Sequence, residues 1–456
     1  MTHFTVAIIG AGPGGYETAI KLHNHGISTI CFEKEKLGGV CLNKGCIPTK
    51  ALAKIADFYT DMKIASDIGL ESASFPVDYL KVQNRKNQVV EKLVNGLEHI
   101  FNKNNIPLMK VSITKINKID EKYVLYTGDL SLCTADYLII ATGSEPKSLP
   151  NIHFDNEYVY SSDHILAMNK LPKSLAIIGG GVIGCEFACI YAQLGVDVTI
   201  IEFLPDIIAT EDEEISKKLL MSIKKHGIKI LTKTVVETVN TGNGDVEIVM
   251  SNGKTLTTEK LLISVGRKPV FNIETHNFEI LRSNGFIKTD EFYRTSEEKI
   301  FAIGDVNGKL MLAHVATHQG LLVADLINSQ VKNTTMRLKP INYDNIPACI
   351  YTNPEVASCG LTEKQAKDKY NFIKIGKLPY SANGKAVAVN ATNGFVKIII
   401  NNETNMIIGV HIIGYAATEL IAQASILIGM QAEVNHIENI IFAHPTISEI
   451  IAVATR

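Results

Sequence analysis

One glycine pattern occurs twice in this chain at a fixed offset, and it leaves few folds open. Positions 10, 12, 15, 26 and 33 recur as 179, 181, 184, 195 and 202, each 169 residues later and each with the same residue type. In both copies an apolar, strand-like run (residues 5–10 and 174–178) leads into Gly-x-Gly-x-x-Gly. A helical stretch then ends at Gly26 or Gly195, and a second apolar run closes on Glu33 or Glu202. The first glycine of such a pattern allows a tight turn, the second lets backbone approach a pyrophosphate, and the third lets helix and strand pack closely. The acid accepts hydrogen bonds from ribose hydroxyls. A lone glycine pattern is weak evidence, but strand, glycines, helix, strand and acid in that order specify a dinucleotide-binding βαβ unit.

Two units imply two dinucleotides, or one site and a decayed copy. Glu202 is intact, which argues against decay. It also predicts NAD rather than NADP at the second site, because a carboxylate repels a 2′-phosphate. Phe203, Leu204 and Pro205 follow it, with no arginine to hold a phosphate.

Between the first unit and the next helical region, residues 38–50 read Gly-Gly-Val-Cys-Leu-Asn-Lys-Gly-Cys-Ile-Pro-Thr-Lys. Cys41 and Cys46 are five apart. An ideal helix opening at Gly39 separates such residues by about 8–9 Å at Cα, whereas a disulfide needs less than about 7 Å. A redox-active bridge therefore requires a distorted helix, and Pro48 is the expected cause. The alternatives are two buried cysteines that never meet, or a metal site. No second Cys or Cys/His pair follows at ligand spacing, so no metal is assigned.

The remaining chain reads as α/β and then changes character. Residues 51–103 are largely helical by periodicity, and 107–128 alternate like a meander. A buried strand at 136–140 ends in Ala141-Thr142-Gly143, and Pro146 and Pro150 mark a crossing point. A strand at 260–265 leads to Gly266-Arg267, and a short one at 300–303 to Gly304-Asp305. A carboxylate at a strand's C-terminal end faces the ligand crevice of an α/β sheet, although Asp305 after Gly304 also reads as a plain turn residue. A helix over 311–327 follows, its N-terminus suited to negative charge on a cofactor. From about residue 337, alternating runs at 348–352, 372–379, 394–401 and 406–413 predict an antiparallel sheet with no nucleotide signature. Thr362 and Gln365 form a capping box, and a long apolar helix spans about 416–432. Near the C-terminus stand His444 and Glu449. A carboxylate beside a histidine orients a general base, though His444 alone reads rather as a surface or capping residue, and only the other motifs lift it.

Composition excludes other classes. Lys+Arg 45 against Asp+Glu 47 gives no basic surface for nucleic acid or anionic membrane. No apolar run is long enough for a membrane span. Eight cysteines among 456 residues are too few for a secreted disulfide scaffold. The strand-like start leaves no room for a signal peptide. A cytoplasmic location is expected, or an organellar matrix if a targeting segment was removed.

Together the motifs resemble the pyridine nucleotide–disulfide oxidoreductases nearly end to end, most closely their lipoamide-oxidising members. The matching residues include 12–16, 39–50, 141–143, Gly181-Val182-Ile183-Gly184 with Glu186, Gly266-Arg267, 302–306, 311–314 and 443–449. The resemblance implies two Rossmann-like domains, for FAD and NAD, plus a C-terminal α+β dimerisation domain with an antiparallel sheet. The implied boundaries are 1–143 (FAD, first part), 144–265 (NAD), 266–335 (FAD/central, second part) and 336–456 (dimerisation).

FAD is expected at Gly10, Gly12, Gly15, Glu33, Gly39, Lys50, Thr142, Gly143, Asp305, Met311, Leu312, Ala313 and His314. NAD is expected at Gly179, Gly181, Val182, Ile183, Gly184, Glu186, Glu202 and Gly266. The resemblance also implies that Cys46 is the thiolate beside the flavin and that Cys41 exchanges with a substrate dithiol. Lys50, paired with Glu186, lies near the flavin's reactive edge. His444 is the base, Glu449 orients it, and the His444–Pro445 peptide is cis. A homodimer brings His444 to the partner subunit's Cys41.

The implied reaction oxidises dihydrolipoamide carried on another protein, a lipoyl-bearing acyltransferase or lipoyl carrier protein. Electrons pass through the Cys41–Cys46 disulfide and FAD to NAD⁺. Several positions depart from the pattern, among them Val111, Ser112 and Ile113, where similar chains often have glycine near the adenine, so no cofactor contact is assigned there. Phe442 and Asn353 replace common histidines, and Lys44 is a cation expected to lower a nearby thiol pKa. A glutathione-reductase-like enzyme would use NADPH and carry arginines after the second unit, and related reductases need a C-terminal cysteine pair, whereas the last cysteine is Cys359. A flavin-binding scaffold with vestigial chemistry is the alternative of another class, against which the joint presence of Cys41, Cys46, Lys50, His444 and Glu449 stands.

Overall fold

Each glycine motif sits at the C-terminal end of the central strand of its own parallel sheet. The structure, a computed structural model, describes residues 1–70, 76–242 and 244–456. The chain divides into two compact units. The first comprises Met1–Ala51, Gln83–Lys147 and Gly266–Ile341, and the second Leu52–Val82, Ser148–Val265 and Asn342–Arg456.

In the first unit, five strands run parallel in the order Leu108–Met109, Thr29–Phe32, Thr2–Ile9, Leu130–Ile140 and Ile300–Ala302. Lys122–Thr127 and Lys115–Ile119 extend the sheet as an antiparallel meander. Strands covered on both faces read as continuous apolar runs. Accordingly Val6, Ala7, Ile8, Leu138, Ile139 and Ile140 are all fully buried. Each large aliphatic among them contributes roughly 1.5–3 kcal/mol by leaving water. The helix Pro13–Asn24 covers one face beside the helix Ala313–Val331. The latter begins two residues later than the periodicity indicates, because Leu312 keeps an extended backbone (φ −129°, ψ 137°) as the N-cap.

In the second unit, a parallel sheet runs Lys229–Leu231, Asp197–Ile201, Ser174–Ile178, Lys260–Ile263 and Val159–Tyr160. A separate five-stranded antiparallel sheet orders Ala348–Ile350, Glu355–Gly360, Ile407–Gly414, Phe395–Asn401 and Ile373–Pro379. The helix Ala417–Gly429 packs on it, and Thr362 and Gln365 make the anticipated capping box.

A buried ion cluster lies where the helix Glu213–Lys225 meets this antiparallel sheet. Lys397, 1 % exposed, places Nζ 2.8 Å from Asp212, 2.6 Å from Glu363 and 3.3 Å from Glu214. Burial alone would lower the Lys397 pKa, but its carboxylate partners more than offset that and raise it. Asp212 is likewise pushed up by burial and pulled further down by Lys397 and the N–H of Glu363. His411 stands opposite Lys397 in the sheet register. Among the described residues, no helix is long and apolar enough to cross a membrane.

Candidate active site

The two glycine loops have the same geometry in detail. Gly12 and Gly181 are N-caps with matching backbones (φ −71°, ψ −175° and φ −74°, ψ −171°), and neither supplies a side-chain cap. The first N–H groups of both helices are thus left for an anion. A Cβ on Gly15 would lie 1.9 Å from the carbonyl oxygen of Gly10, and one on Gly184 1.9 Å from that of Gly179. No atom stands within 4 Å of where a Cβ on Gly181 would sit, so that face is open. These are cradles of the shape a pyrophosphate needs, and they fit one dinucleotide each.

The two acids do more than the motif indicates. Buried Glu33 accepts the N–H of Ala11 at 2.8 Å and of Glu35 at 2.9 Å, one on each oxygen. Glu202 accepts Gly180 N–H at 2.5 Å and Leu204 N–H at 2.6 Å in the same manner. Each carboxylate clamps its strand end to its glycine loop. About four lone-pair sites exist on a carboxylate, so positions for ribose hydroxyls remain.

The cysteine stretch shows where the helix distorts. A short helix, Gly39–Lys44, stops at Gly45 (φ −147°, ψ −110°), and a second, Cys46–Lys63, starts immediately. The break is at Gly45, not at Pro48, which sits in the first turn of the second helix where its missing N–H costs nothing. Thr49 donates from both N and Oγ1 to the Gly45 carbonyl, at 3.1 and 2.6 Å, and so fixes the new start. Asn43 pins the first helix by donating to the carbonyls of Leu37 and Gly39, both at 3.0 Å.

The break brings the two side chains into contact. Both cysteines are thiols here. The hydrogen bond to Cys46, followed by burial, pushes the Cys41 thiol well above its ordinary range, and the Lys50 cation opposes this. Lys44 has a carboxylate partner that the motif did not indicate. Its ammonium pairs with Glu35, whose carboxyl it holds low. Gly39 (φ +59°) touches the glycine loop so closely that a Cβ there would lie 2.6 Å from the Cα of Gly12.

Thr142, Gly143 and Gly266 lie where the chain leaves and re-enters the first unit. Thr142 Oγ1 donates to the Val270 carbonyl, and Val270 N–H to that of Gly143 at 3.0 Å. Lys147 N–H donates to the Gly266 carbonyl at 3.0 Å. Ser144, which the motifs did not single out, links two residues that they did. Its hydroxyl donates to Asp305 and receives Arg267 Nε at 2.7 Å, while the same guanidinium donates to the Ser144 carbonyl at 2.7 Å. A polar residue directly after Ala141-Thr142-Gly143 was the available signal. Met311 and Leu312 precede the helix Ala313–Val331, which Ala313 and His314 open.

In the second unit, Val182 and Ile183 open the helix Val182–Gln193, and buried Glu186 accepts the Tyr351 N–H at 2.9 Å. Asn353 donates to Asp57 at 3.0 Å. His444 Nδ1 lies 2.9 Å from Glu449 Oε1, and Thr446 N–H donates to Glu449 Oε2 at 2.8 Å. The His444–Pro445 peptide is cis, as is Asn353–Pro354. Phe442 packs against the apolar core of the antiparallel sheet. The structure thus joins Cys41 with Cys46 and His444 with Glu449, in different units.

Two cradles, a dithiol and a histidine–carboxylate pair define a dinucleotide-dependent disulfide oxidoreductase. Residues 4–320 match the pyridine nucleotide-disulphide oxidoreductase family, and residues 346–455 its dimerisation domain. The chain belongs to this family, whose cofactors FAD and NAD suit the two cradles. It is 38 % identical to the dihydrolipoyl dehydrogenase of Bacillus subtilis, covering 99 % of this chain and 97 % of that one. It is 37 % identical to the dihydrolipoyl dehydrogenase of Chlamydia pneumoniae, covering 98 % and 95 %. Among solved structures, the HOCl-induced flavoprotein disulfide reductase RclA from Escherichia coli superposes with a TM-score of 0.84 at 26 % identity, over 98 % of both chains.

Proposed function

We propose that this chain is a dihydrolipoyl dehydrogenase that oxidises protein-bound dihydrolipoamide to lipoamide and reduces NAD⁺. The observation that carries the reading is the Cys41–Cys46 contact, made by a helix break against the first glycine loop. Similarity at 38 % identity over nearly the whole chain supports it.

The residues divide the task by their chemistry. A thiolate, not a thiol, attacks a disulfide. His444, oriented by Glu449, takes the proton from one dihydrolipoamide thiol. The resulting thiolate attacks Cys41 Sγ of the oxidised pair, so a substrate–Cys41 bond forms, the Cys41–Cys46 bond breaks, and Cys46 leaves as thiolate. The second substrate thiol displaces Cys41 and closes lipoamide, its proton passing to the departing Cys41 sulfur. Two electrons now reside on the cysteine pair. Bound FAD would supply the acceptor for these electrons and the hydride that reduces NAD⁺. Lys50 and Glu186 serve the cofactor's reactive edge, and Glu202 selects NAD. The dimerisation domain assembles a homodimer in which His444 serves the partner subunit. The lipoyl group arrives on an acyltransferase or carrier protein of a 2-oxoacid dehydrogenase or glycine-cleavage complex, in the cytoplasm or an organellar matrix.

The test is a steady-state comparison of dihydrolipoamide with NAD⁺ against glutathione disulfide with NADPH. Turnover with the first pair and negligible turnover with the second is expected. The reverse ranking would make the chain a glutathione-type reductase.

A further inference from the structure

His444 is poorly held by its own surroundings. Its side chain is 77 % exposed, and Glu449 is the contact that fixes its ring. A base that must meet a thiol within hydrogen-bond reach therefore takes its position from the backbone beneath it. That backbone is gripped by a residue that no motif marks.

We propose that Asn383 is a positioning residue for the His444–Glu449 pair, a role that rests on reading His444 as the base. Asn383 is 6 % exposed, and each end of its carboxamide is hydrogen-bonded. Oδ1 accepts the N–H of Ala386 at 2.9 Å and caps the short helix Gly384–Ala388. Nδ2 donates to the carbonyl of Thr446 at 3.0 Å. The two partners fix which end of the amide is which, because a flipped amide would face N–H to N–H and oxygen to oxygen.

Thr446 is the link. Its carbonyl is held by Asn383, its N–H donates to Glu449 Oε2 at 2.8 Å, and its hydroxyl donates to the Ala443 carbonyl at 2.8 Å. Glu449 Oε1 in turn holds His444 Nδ1. The support runs Asn383, Thr446, Glu449, His444, each step a hydrogen bond. The far end is firm. Asn383 N–H donates to the Tyr380 carbonyl at 3.0 Å, and fully buried Tyr380 donates its hydroxyl to the Tyr415 carbonyl at 2.9 Å. On the other side of the turn, Gln423 Nε2 donates to Ser448 Oγ at 2.8 Å. Without the Asn383 donor, the buried side of the turn keeps an unpaired carbonyl, and the Thr446 peptide is free to rotate away from Glu449.

The test uses the FAD-loaded enzyme and the variant Asn383→Ser. Serine still caps the short helix but is too short to reach Thr446. Two activities are measured: dihydrolipoamide with NAD⁺, which needs the base, and NADH with ferricyanide, which takes electrons from the flavin and needs neither dithiol nor base. The expected result is a loss of about 10- to 100-fold in kcat with dihydrolipoamide, with ferricyanide reduction within about twofold of the parent enzyme. In His444→Gln the same Asn383→Ser change should cost nothing further, because there is no base left to place.

Dihydrolipoamide turnover within twofold of the parent, equal losses in both activities, or losses that multiply in the double variant would each overturn the proposal. Unimpaired turnover in His444→Gln alone would instead overturn the reading beneath it. If Asn383→Ser yields no folded flavoprotein, Asn383→Asp, which keeps the cap and replaces the donor by an acceptor, is read by the same measurements.

Discussion

The Glu449 carboxylate is shared between the ring of His444 at 2.9 Å and the N–H of Thr446 at 2.8 Å, one on each oxygen. The Thr446 N–H first, and then His444, hold its pKa below the usual carboxylate range. A group whose folded pKa is depressed gives its stabilisation above its unfolded value, about 4.3, and loses it as pH falls through the folded one. The carboxylate is therefore ionised across neutral pH. Glu449→Gln leaves one acceptor oxygen for two donors, so His444 Nδ1–H or Thr446 N–H loses its partner, and kcat with dihydrolipoamide should fall by about 10²-fold or more. A change under threefold would count against the pair.

Cys46→Ser should abolish dihydrolipoamide-dependent NAD⁺ reduction, because no bridge can form with Cys41. FAD should remain bound, since Cys46 is not part of either glycine loop. Flavin absorbance per chain and steady-state turnover check both halves, and normal turnover would remove the disulfide role.

Gly39→Ala strikes the place where the cysteine helix meets the nucleotide loop. The added Cβ lies 2.6 Å from Gly12 Cα, at a position with φ +59°. A left-handed conformation and an overlap of this kind cost about 1–3 kcal/mol. The purified variant should carry substantially less flavin per chain than its parent, measured by absorbance after desalting.

NAD⁺ should be preferred to NADP⁺ in kcat/KM by about tenfold or more, because Glu202 would face a 2′-phosphate. Glu202→Ala should narrow that ratio. It should also raise the KM for NAD⁺, since Gly180 and Leu204 lose their shared acceptor.

Lys397→Met should be severely destabilising, because it leaves Asp212 buried with its cation gone. Breaking a buried pair on one side costs about 3–5 kcal/mol. Urea unfolding should show the loss, and Asp212→Asn in the same chain should recover part of it. The sign of the pH dependence follows from the partners. Asp212, Glu214 and Glu363 are held low, so their stabilisation is lost as acid takes the pH below about 4. Lys397 is raised, so its share is fully present below about 10.4 and lost above it.

What sequence alone disclosed follows from how local each signal is. The glycine loops, their acids and the antiparallel sheet were legible because period and spacing encode them directly. The cysteine pair was legible as a problem in geometry, but its solution was misplaced. Proline at 48 is compatible with a first helical turn, whereas Gly45 lets the chain break between the cysteines. The pairing of Lys44 with Glu35 was not legible, because Glu35 lies nine residues back and pattern does not reveal which way a long side chain turns. Ser144 and Asn383 were missed for the same reason. Their partners, Arg267 and Thr446, are 123 and 63 residues away, and a lone Ser or Asn carries no period. The Lys397 cluster was invisible too, since a lysine in an apolar strand announces a misfit but not the acids that resolve it.

The duplicated acid clamp has a bearing on how the protein is assembled. Glu33 and Glu202 moor their loops with backbone hydrogen bonds made within the chain itself. Arrival of a dinucleotide then spends little of its binding energy on ordering the loop. Removing either carboxylate would return that ordering cost to the dinucleotide that binds there.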